Sequence, residues 1–388
     1  MEEEKQRDLI LYRYAMSGVT EPFDFGGKNG KPRCWPRCVS KVRALKQDEK
    51  WRLISDLRAV NTAIRSEDMS LVTPKEIAEM TKDGQSTESL PQQTSIKTTT
   101  TTMKADLRWG YHQVVVDHRS RTHLCFRWRG MIFQFRGMPF GLKDAPRAFL
   151  ERTETAGRVL QKRITTFLEG ALKRQGGRGC QIRVAVYIDD FIVVVREPVD
   201  EPLTLEERDK IRTEVLRILT EDLGMVLSAK KCTPLSPRTI ILGLEIERGV
   251  VRVPTEKKAR ILKELEGTVR AEMTTALELG TTLGRLVSIE TVMPMLLTRG
   301  AFFDLAQTLG TDYDEKVCAM RRPSDAAEFA WRDNAQVCLT KESRDDLRMI
   351  MERFDELDGN DPNTESRITQ RDRWILSRTQ AKTEQDGR

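Results

Sequence analysis

Asp189 and Asp190 stand side by side in an otherwise apolar run, Val184-Ala185-Val186-Tyr187-Ile188-Asp189-Asp190-Phe191-Ile192-Val193-Val194-Val195. Such a run reads as two short buried strands. Adjacent carboxylates are costly there, because a charge taken from water must be compensated. A strand, a tight two-residue turn and a returning strand would lift both acids to a hairpin tip, where a divalent cation could reach them. A solvated Asp-Asp turn in an ordinary hairpin is the plainer alternative, and this stretch alone leaves both open.

A partner acid lies upstream in Met103-Lys104-Ala105-Asp106-Leu107-Arg108-Trp109-Gly110-Tyr111-His112-Gln113-Val114. Magnesium takes oxygen ligands and usually binds through one or two carboxylates plus substrate phosphates. Three acids from two separate strands can hold a pair of such ions, the arrangement for in-line displacement at phosphorus. Between the acid sites, Arg136-Gly137-Met138-Pro139-Phe140-Gly141-Leu142-Lys143-Asp144-Ala145-Pro146-Arg147-Ala148-Phe149 reads as a loop leading into a helix. Its glycines let backbone approach a ligand closely.

At these residues the chain resembles the reverse transcriptases of retrotransposons and retroviruses, with six blocks in the family's order. Lys50-Trp51-Arg52-Leu53-Ile54-Ser55-Asp56-Leu57-Arg58-Ala59-Val60-Asn61 resembles the fingers block, and Ala105-Asp106 to Val114 the first catalytic block. Met138-Pro139-Phe140-Gly141-Leu142, with Pro146 and Phe149, resembles the template-grip block; Tyr187-Ile188-Asp189-Asp190 matches the signature box. Leu223-Gly224-Met225 to Lys230-Lys231, then Ile241-Leu242-Gly243-Leu244-Glu245-Ile246, resemble the last two palm blocks. Single blocks are weak signals; six in order over roughly residues 17–310 are specific. The Gly-Leu-Glu-Ile box and Pro254-Thr255-Glu256-Lys257-Lys258 also resemble elements that carry a tyrosine recombinase.

The resemblance implies an α+β right-hand polymerase: fingers, a palm with an antiparallel sheet, and a helical thumb. It implies RNA-directed DNA polymerase activity with two Mg2+ ions, or Mn2+ in their place. Asp106 and Asp189 would ligate the metals, and Asp190 would be a secondary ligand or charge tuner. Arg52 would clamp the incoming triphosphate through bidentate guanidinium geometry, with Lys46 a possible second clamp. Asp56 and Arg58 would brace each other within the fingers. Tyr111 would sit beneath the sugar and exclude a 2′-hydroxyl, Phe140 would pack against the templating pair, and Gly141 would allow close backbone approach. Lys231 is the candidate to protonate the departing pyrophosphate, with Lys230 competing. Leu242 and Gly243 would form the hairpin that grips the primer end. The partners implied are an RNA or DNA template, a primer strand and dNTPs. A nucleic-acid-binding protein that keeps the fold without catalysis is the reading from a different class. The three histidines, His112, His118 and His123, argue no His-based site.

Composition bounds the class of the chain. The chain is 39% hydrophobic and 32% charged, which suits a globular protein. No apolar stretch is long enough to span a bilayer, and no membrane partner is expected. Net charge is only +6, but Lys28 to Arg65 holds eleven Lys/Arg against three acids. That local stripe suits a phosphate binder as well as it suits a solvated basic face. Seven cysteines show no zinc spacing beyond the lone pair in Cys34-Trp35-Pro36-Arg37-Cys38. Reduced thiols in an intracellular protein are expected. The motifs say nothing of oligomeric state.

Expected divisions are 1–105 for a lead-in and fingers, 106–255 for palm with part of the fingers, 256–310 for thumb, and 311–388 for a charged, partly disordered tail. Residues 81–102 read as a polar surface insertion whose threonines could form an edge strand. Val114-Val115-Val116 and Cys125 to Phe135 read as palm strands. Ala145 to Leu172, Leu203 to Leu223 and two or three segments of 256–309 read as helices. Lys173 to Gly179 reads as a basic flexible loop. The tail shows weak helical pattern at best, as in Glu342 to Leu357. It lacks the apolar strands for a ribonuclease H domain, and no protease or integrase segment is apparent.

Overall fold

The computed structural model describes residues 2–26, 34–47, 50–65, 69–86, 96–171, 180–271, 273–289, 291–292, 298–309, 313–314, 319–320 and 335–357. In chain order the elements are α1 (Glu2–Met16), β1 (Thr20–Pro22), β2 (Val39–Ser40), β3 (Val42–Gln47), β4 (Lys50–Ser55), α2 (Arg58–Asn61), α3 (Pro74–Met80), β5 (Gly84–Ser86), β6 (Ile96–Asp106), β7 (Cys125–Trp128), β8 (Met131–Phe135), α4 (Ala145–Ala171), β9 (Gln181–Tyr187), β10 (Asp190–Pro198), α5 (Leu205–Arg217), β11 (Arg238–Ile241), β12 (Leu244–Glu247), β13 (Val250–Arg252), α6 (Thr255–Arg270), β14 (Met273–Thr275), α7 (Ala276–Val287), α8 (Arg299–Leu309), β15 (Tyr313–Asp314), β16 (Ala319–Met320), β17 (Gln336–Cys338) and α9 (Lys341–Leu357). The chain divides into two compact units, Met1–Ile241 with Ile246–Val250, and Leu242–Glu245 with Val251–Arg388. The expected basic loop Lys173 to Gly179, Lys28, Lys31 and Arg33 of the basic stripe, and the expected disorder of the last twenty residues lie outside the described residues.

The sheet that carries the acids runs β5-β6-β10-β9 and is antiparallel throughout. Met103, Ala105, Phe191, Val193 and Val195 lie on one face and are buried. They pack with Phe149, Leu160 and Ile164 of α4 and Ile211 and Val215 of α5. Burying each such side chain contributes about 1.5–3 kcal/mol. β10 is buried along nearly its whole length, so its sequence is a continuous apolar run rather than an alternating one. Gly157 lets α4 lie against β9, since a Cβ there would stand 2.6 Å from Val186 Cγ2. A Thr204–Glu207 capping box opens α5, and a single π turn, Ile218–Asp222, extends it. The helix expected over 203–223 is therefore present.

The polar stretch before Asp106 departs from expectation. Residues 96–106 form an interior strand, paired with β5 on one side and β10 on the other, not a surface loop or an edge. Thr98, Thr100, Thr101 and Thr102 are buried. Their branched Cβ atoms favour extended backbone, and Thr100 Oγ1 donates to the Thr81 carbonyl at 2.6 Å. Hydrophobicity alone hides such a strand.

A second sheet, β1-β8-β7-β2, is antiparallel except for its β7/β2 edge. Phe126, Phe133 and Phe135 from it pack with Leu53, Leu57 and Leu11. Leu11 belongs to α1, a 15-residue helix where a lead-in was expected. Glu2, Glu3 and Glu4 in its first turn suit the helix dipole, and Trp128 Nε1 donates to Asp8 at 3.0 Å. β7 and β8 form the expected hairpin around Arg129 (φ 49°) and Gly130 (φ 79°). Val114–Val116 is not a strand. The segment carries one isolated bridge, Val115 to Gly137, because Val114 and Val116 are bonded to the loop residues Met138 and Arg136.

In the second unit α6, α7 and α8 correspond to the helices expected over 256–309. Their core of Ile261, Leu265, Leu279, Leu283 and Leu286 is completed by Val337, Leu339, Leu347, Ile350 and Phe354. Residues 335–357 are thus part of a core. Lys258 is buried and donates to the Phe354 carbonyl at 2.6 Å, capping the end of α9. No helix among the described residues is long and apolar enough to cross a membrane.

One buried tie positions the loop at 136–142. His112 is 7% exposed. Its Nδ1 lies 3.0 Å from the Met138 carbonyl and its Nε2 3.0 Å from the Tyr14 hydroxyl. A carbonyl can only accept, so Nδ1 carries the proton and Nε2 accepts from Tyr14. Burial holds the His112 pKa down at about 4 and pushes that of Tyr14 up to about 12. Gly137 lies against the same turn, where a Cβ would stand 2.3 Å from the His112 carbonyl oxygen.

Two outcomes follow. Gly137→Ala must displace backbone and should cost about 2 kcal/mol or more in urea unfolding. His112 is neutral when folded, and the unfolded chain binds the proton near pH 6.5. The stability it supports is therefore present above that pH and is lost as pH falls toward about 4. The stability difference between the parent and His112→Gln should shrink by roughly 2–3 kcal/mol between pH 7 and pH 4.5. A difference that does not change with pH would contradict the assignment.

Candidate active site

β6 ends at Asp106 and β10 begins at Asp190, and the two residues are direct cross-strand partners. Opposed residues of an antiparallel pair share a face, so Asp106 and Asp190 project to the same side. Asp189 occupies the two-residue turn before Asp190, together with Ile188, whose φ is 52°. The Asp189 carbonyl accepts from Leu107 N at 3.0 Å, stitching the turn to the end of β6. The three acids are therefore brought together. Asp106 and Asp190 are 5% and 9% exposed, while Asp189 is half-buried.

Burial raises the Asp189 pKa, and the nearby Asp106 charge raises it further. Burial pushes Asp190 up to about 6; Lys104 opposes that rise, while Asp189 and Asp106 add to it. Lys231 Nζ lies 2.8 and 3.1 Å from the two Asp106 oxygens. That bond raises the Lys231 pKa. Lys231 rather than Lys230 thus reaches the acids. Lys104 Nζ lies 3.4 Å from Asp190 Oδ1 and donates to Oδ2 at 3.5 Å. Oδ1 is left buried without a hydrogen-bond partner.

Among the described residues, no three His, Cys, Asp or Glu side chains surround one point closely enough to hold an ion as they stand. The donor set nevertheless fits a hard divalent cation. It offers carboxylate oxygens, an orphaned Oδ1, and acids whose mutual repulsion a cation would relieve.

Tyr111 sits in a 3-10 turn, Gly110–Gln113, directly after Asp106. Its ring meets Phe140 and Phe149 edge-on at 5.2 and 5.1 Å. Burial raises its pKa, and so does the charge of Asp189, which places the ring beside the acids. Gly110 packs closely there, since a Cβ would stand 3.3 Å from Phe149 and 3.4 Å from Asp189. Phe140 is 41% exposed and also meets His112 at 5.1 Å. Gly141 has φ +93°, and its Cβ would stand 3.3 Å from the Ser55 carbonyl.

Sequence reasoning missed Asn61. Its amide donates to the Gly141 carbonyl at 2.8 Å and accepts from Lys143 N at 2.9 Å. Both bonds hold the Phe140 loop to α2. The only signal was its place at the end of the fingers block.

The β3–β4 ribbon gives Arg52 an exposed face. Arg52 pairs with Leu45, whereas Lys46 pairs with Trp51. Register therefore sets Lys46 and Arg52 on opposite faces, and the expected joint clamp is not formed by this pair. Arg43 and Lys50 share Arg52's face instead. Asp56 and Arg58 brace each other as expected, at 2.9 and 3.0 Å.

Leu242 and Gly243 form the two-residue turn between β11 and β12, with φ 53° and 72°. Lys257 Nζ donates to the Gly243 carbonyl at 3.3 Å. Both turn residues belong to the second unit, and the acids belong to the first.

The chain is similar to several known proteins. The enzymatic polyprotein of Figwort mosaic virus (strain DxS) is 33% identical over 144 residues, covering 37% of this chain and 17% of the relative. The enzymatic polyprotein of Cauliflower mosaic virus (strain NY8153) is 26% identical over 144 residues, with the same coverage. The chain thus spans about a sixth of the length of these curated relatives. Among solved structures, the foamy viral protease-reverse transcriptase dRH in complex with double-stranded DNA superposes with a TM-score of 0.55 at 16% identity. That match covers 90% of this chain and 47% of the other. The foamy viral protease-reverse transcriptase in complex with RNA/DNA hybrid gives the same score and identity, covering 90% and 37%. These neighbours share the right-hand polymerase fold, an α+β arrangement around antiparallel sheet. The profile of the family described as reverse transcriptase (RNA-dependent DNA polymerase) matches residues 44–246, just over half of the 388 residues. With its acids paired across an antiparallel seam inside that matched segment, the chain belongs to the reverse transcriptase family.

Proposed function

We propose that the chain extends a primer by RNA-directed DNA synthesis, with Asp106, Asp189 and Asp190 as the acid centre. The observation that carries this reading is the convergence of these acids, from two neighbouring strands, beside Lys231 and Tyr111. Magnesium, held chiefly by Asp106 and Asp189, would lower the pKa of the primer 3′-hydroxyl and steady charge on the leaving pyrophosphate. Lys231 would be the proton donor at the same carboxylates, held there by its bonds to Asp106.

Arg52, with Arg43 and Lys50 on its face of the ribbon, would receive the triphosphate. Tyr111, braced edge-on by two phenylalanines, would stand beneath the sugar as a rigid wall. Phe140 would pack on the templating pair. Leu242 and Gly243 would approach the primer end through exposed turn backbone. Fingers, palm and thumb correspond in this reading to the basic ribbon, the acid-bearing sheet and the helices of the second unit. Since its neighbours were solved with double-stranded DNA and RNA/DNA hybrid, a template–primer duplex is the partner proposed here. It would be held mainly through phosphates.

Primer extension on poly-rA/oligo-dT with magnesium tests the reading. The parent should extend, and Asp189→Asn should abolish extension while duplex binding is retained. Activity within about tenfold of the parent would show that the acid is not catalytic. A parent that binds duplex but never extends would favour a nucleic-acid-binding protein without catalysis. Tyr111→Ala should raise ribonucleotide over deoxynucleotide incorporation by roughly two orders of magnitude, since a rigid wall excludes more than a pocket gains from one extra group. An unmoved ratio would assign Tyr111 to packing alone.

A further inference from the structure

Lys104 is the unexplained charge of the acid-bearing sheet. It lies inside β6, two residues before Asp106, in a strand position where burial of an ammonium is expensive. Its side chain is only 18% exposed, against 55% for Lys231. The two lysines therefore differ in kind. Lys231 reaches Asp106 from the solvent side, whereas Lys104 is built into the strand. Its backbone is fixed on both sides. Lys104 opposes Ile192 in the ladder with β10. Toward the other side its N–H donates to Thr233 Oγ1 at 2.8 Å, and its carbonyl accepts from Thr233 N at 2.9 Å. The register puts Asp190 diagonally across from it on the same face, within reach of a long side chain. Its charge is felt by Asp190 and by Asp189. Of these it pairs with Asp190, at 3.4 and 3.5 Å.

Resting on the polymerase reading above, we propose that Lys104 is a positioning residue that acts as the resident counter-ion of Asp190. It balances the second signature acid within the protein, so that the metal ions are left to Asp106 and Asp189. The three carboxylates carry more negative charge than Lys231 alone can offset. A fixed ammonium on the Asp190 side resolves the excess without occupying the side of Asp189, for which the described residues show no ion pair. It also ties β6 to β10 beside the acids, which fixes their spacing.

The test is a double-mutant cycle read in metal-free protein and then by ion binding. Lys104→Met keeps length and removes charge. In metal-free protein it should lower Tm by roughly 4 °C or more, because Asp190 is left buried and unpaired. Lys104→Met with Asp190→Asn should recover most of that loss. Calorimetric titration with Mn2+ should show Lys104→Met binding the ion about tenfold more tightly, as Asp190 is released to act as a ligand. The double variant should return toward the parent, and Lys104→Arg should stay within about twofold of it. Additive Tm losses, or parental Tm and ion affinity in Lys104→Met, would overturn the proposal. A Tm loss with unchanged ion affinity would make Lys104 a structural cation only, and would overturn it as well. Failure of Asp189→Asn to impair extension would instead strike the polymerase reading, leaving the metal-free cycle interpretable on its own.

Discussion

Everything at the candidate active site depends on one antiparallel seam. β6 and β10 pair over nine residues in a register that sets Asp106 opposite Asp190. A slip of one residue would send every side chain of a strand to the other face. The acids would then enter the apolar layer under α4, and Met103 and Ala105 would leave it. The cost of such a slip includes both lost apolar burial and charges without partners. Core packing and acid placement are thus fixed by the same ladder of backbone bonds, and neither can drift without the other.

Around that seam, charge is arranged by distance from water. Burial, with the neighbouring carboxylates adding to it, raises the pKa values of Asp189 and Asp190, and two lysines of different exposure answer the acids. Lys231 comes from a short 3-10 turn, Ala229–Lys231, at the surface. Lys104 comes from the interior of the sheet. Tyr111, Phe140 and Phe149 form an aromatic wall in edge-on contact. It is aimed through His112 and Tyr14 by a helix at the start of the chain. The site therefore draws on residues spread from Tyr14 to Lys231.

The sequence made some of this readable and concealed the rest. The Asp189–Asp190 hairpin was legible because only a turn can punctuate so apolar a run. The helices within 145–172, 203–223 and 256–309 were legible from apolar period. Residues 96–102 were not, since threonine is polar by composition yet extended by shape, and burial of its hydroxyls depends on partners such as Thr81 that no local pattern reveals. α1 was missed because its apolar face is narrow and its sequence is dominated by charge. Lys46 was a possible second clamp by family resemblance, but cross-strand register decides which residues share a face. Asn61 and His112 do their work through bonds to backbone carbonyls and amides far along the chain, which sequence cannot display.

Ile188 stands at the hairpin tip with a left-handed φ of 52°. For a β-branched residue that conformation costs on the order of 1–3 kcal/mol, and it persists only where surrounding structure over-determines it. Here β9 and β10 supply that determination through their paired ladder. Among the described residues, the one β-branched side chain on a left-handed backbone is therefore the immediate neighbour of the candidate ligand Asp189. Thermodynamic comfort and geometric fidelity pull in opposite directions at this one position. The ladder and the Leu107 N–H bond to the Asp189 carbonyl thus hold at once an unfavourable backbone angle and the acid beside it.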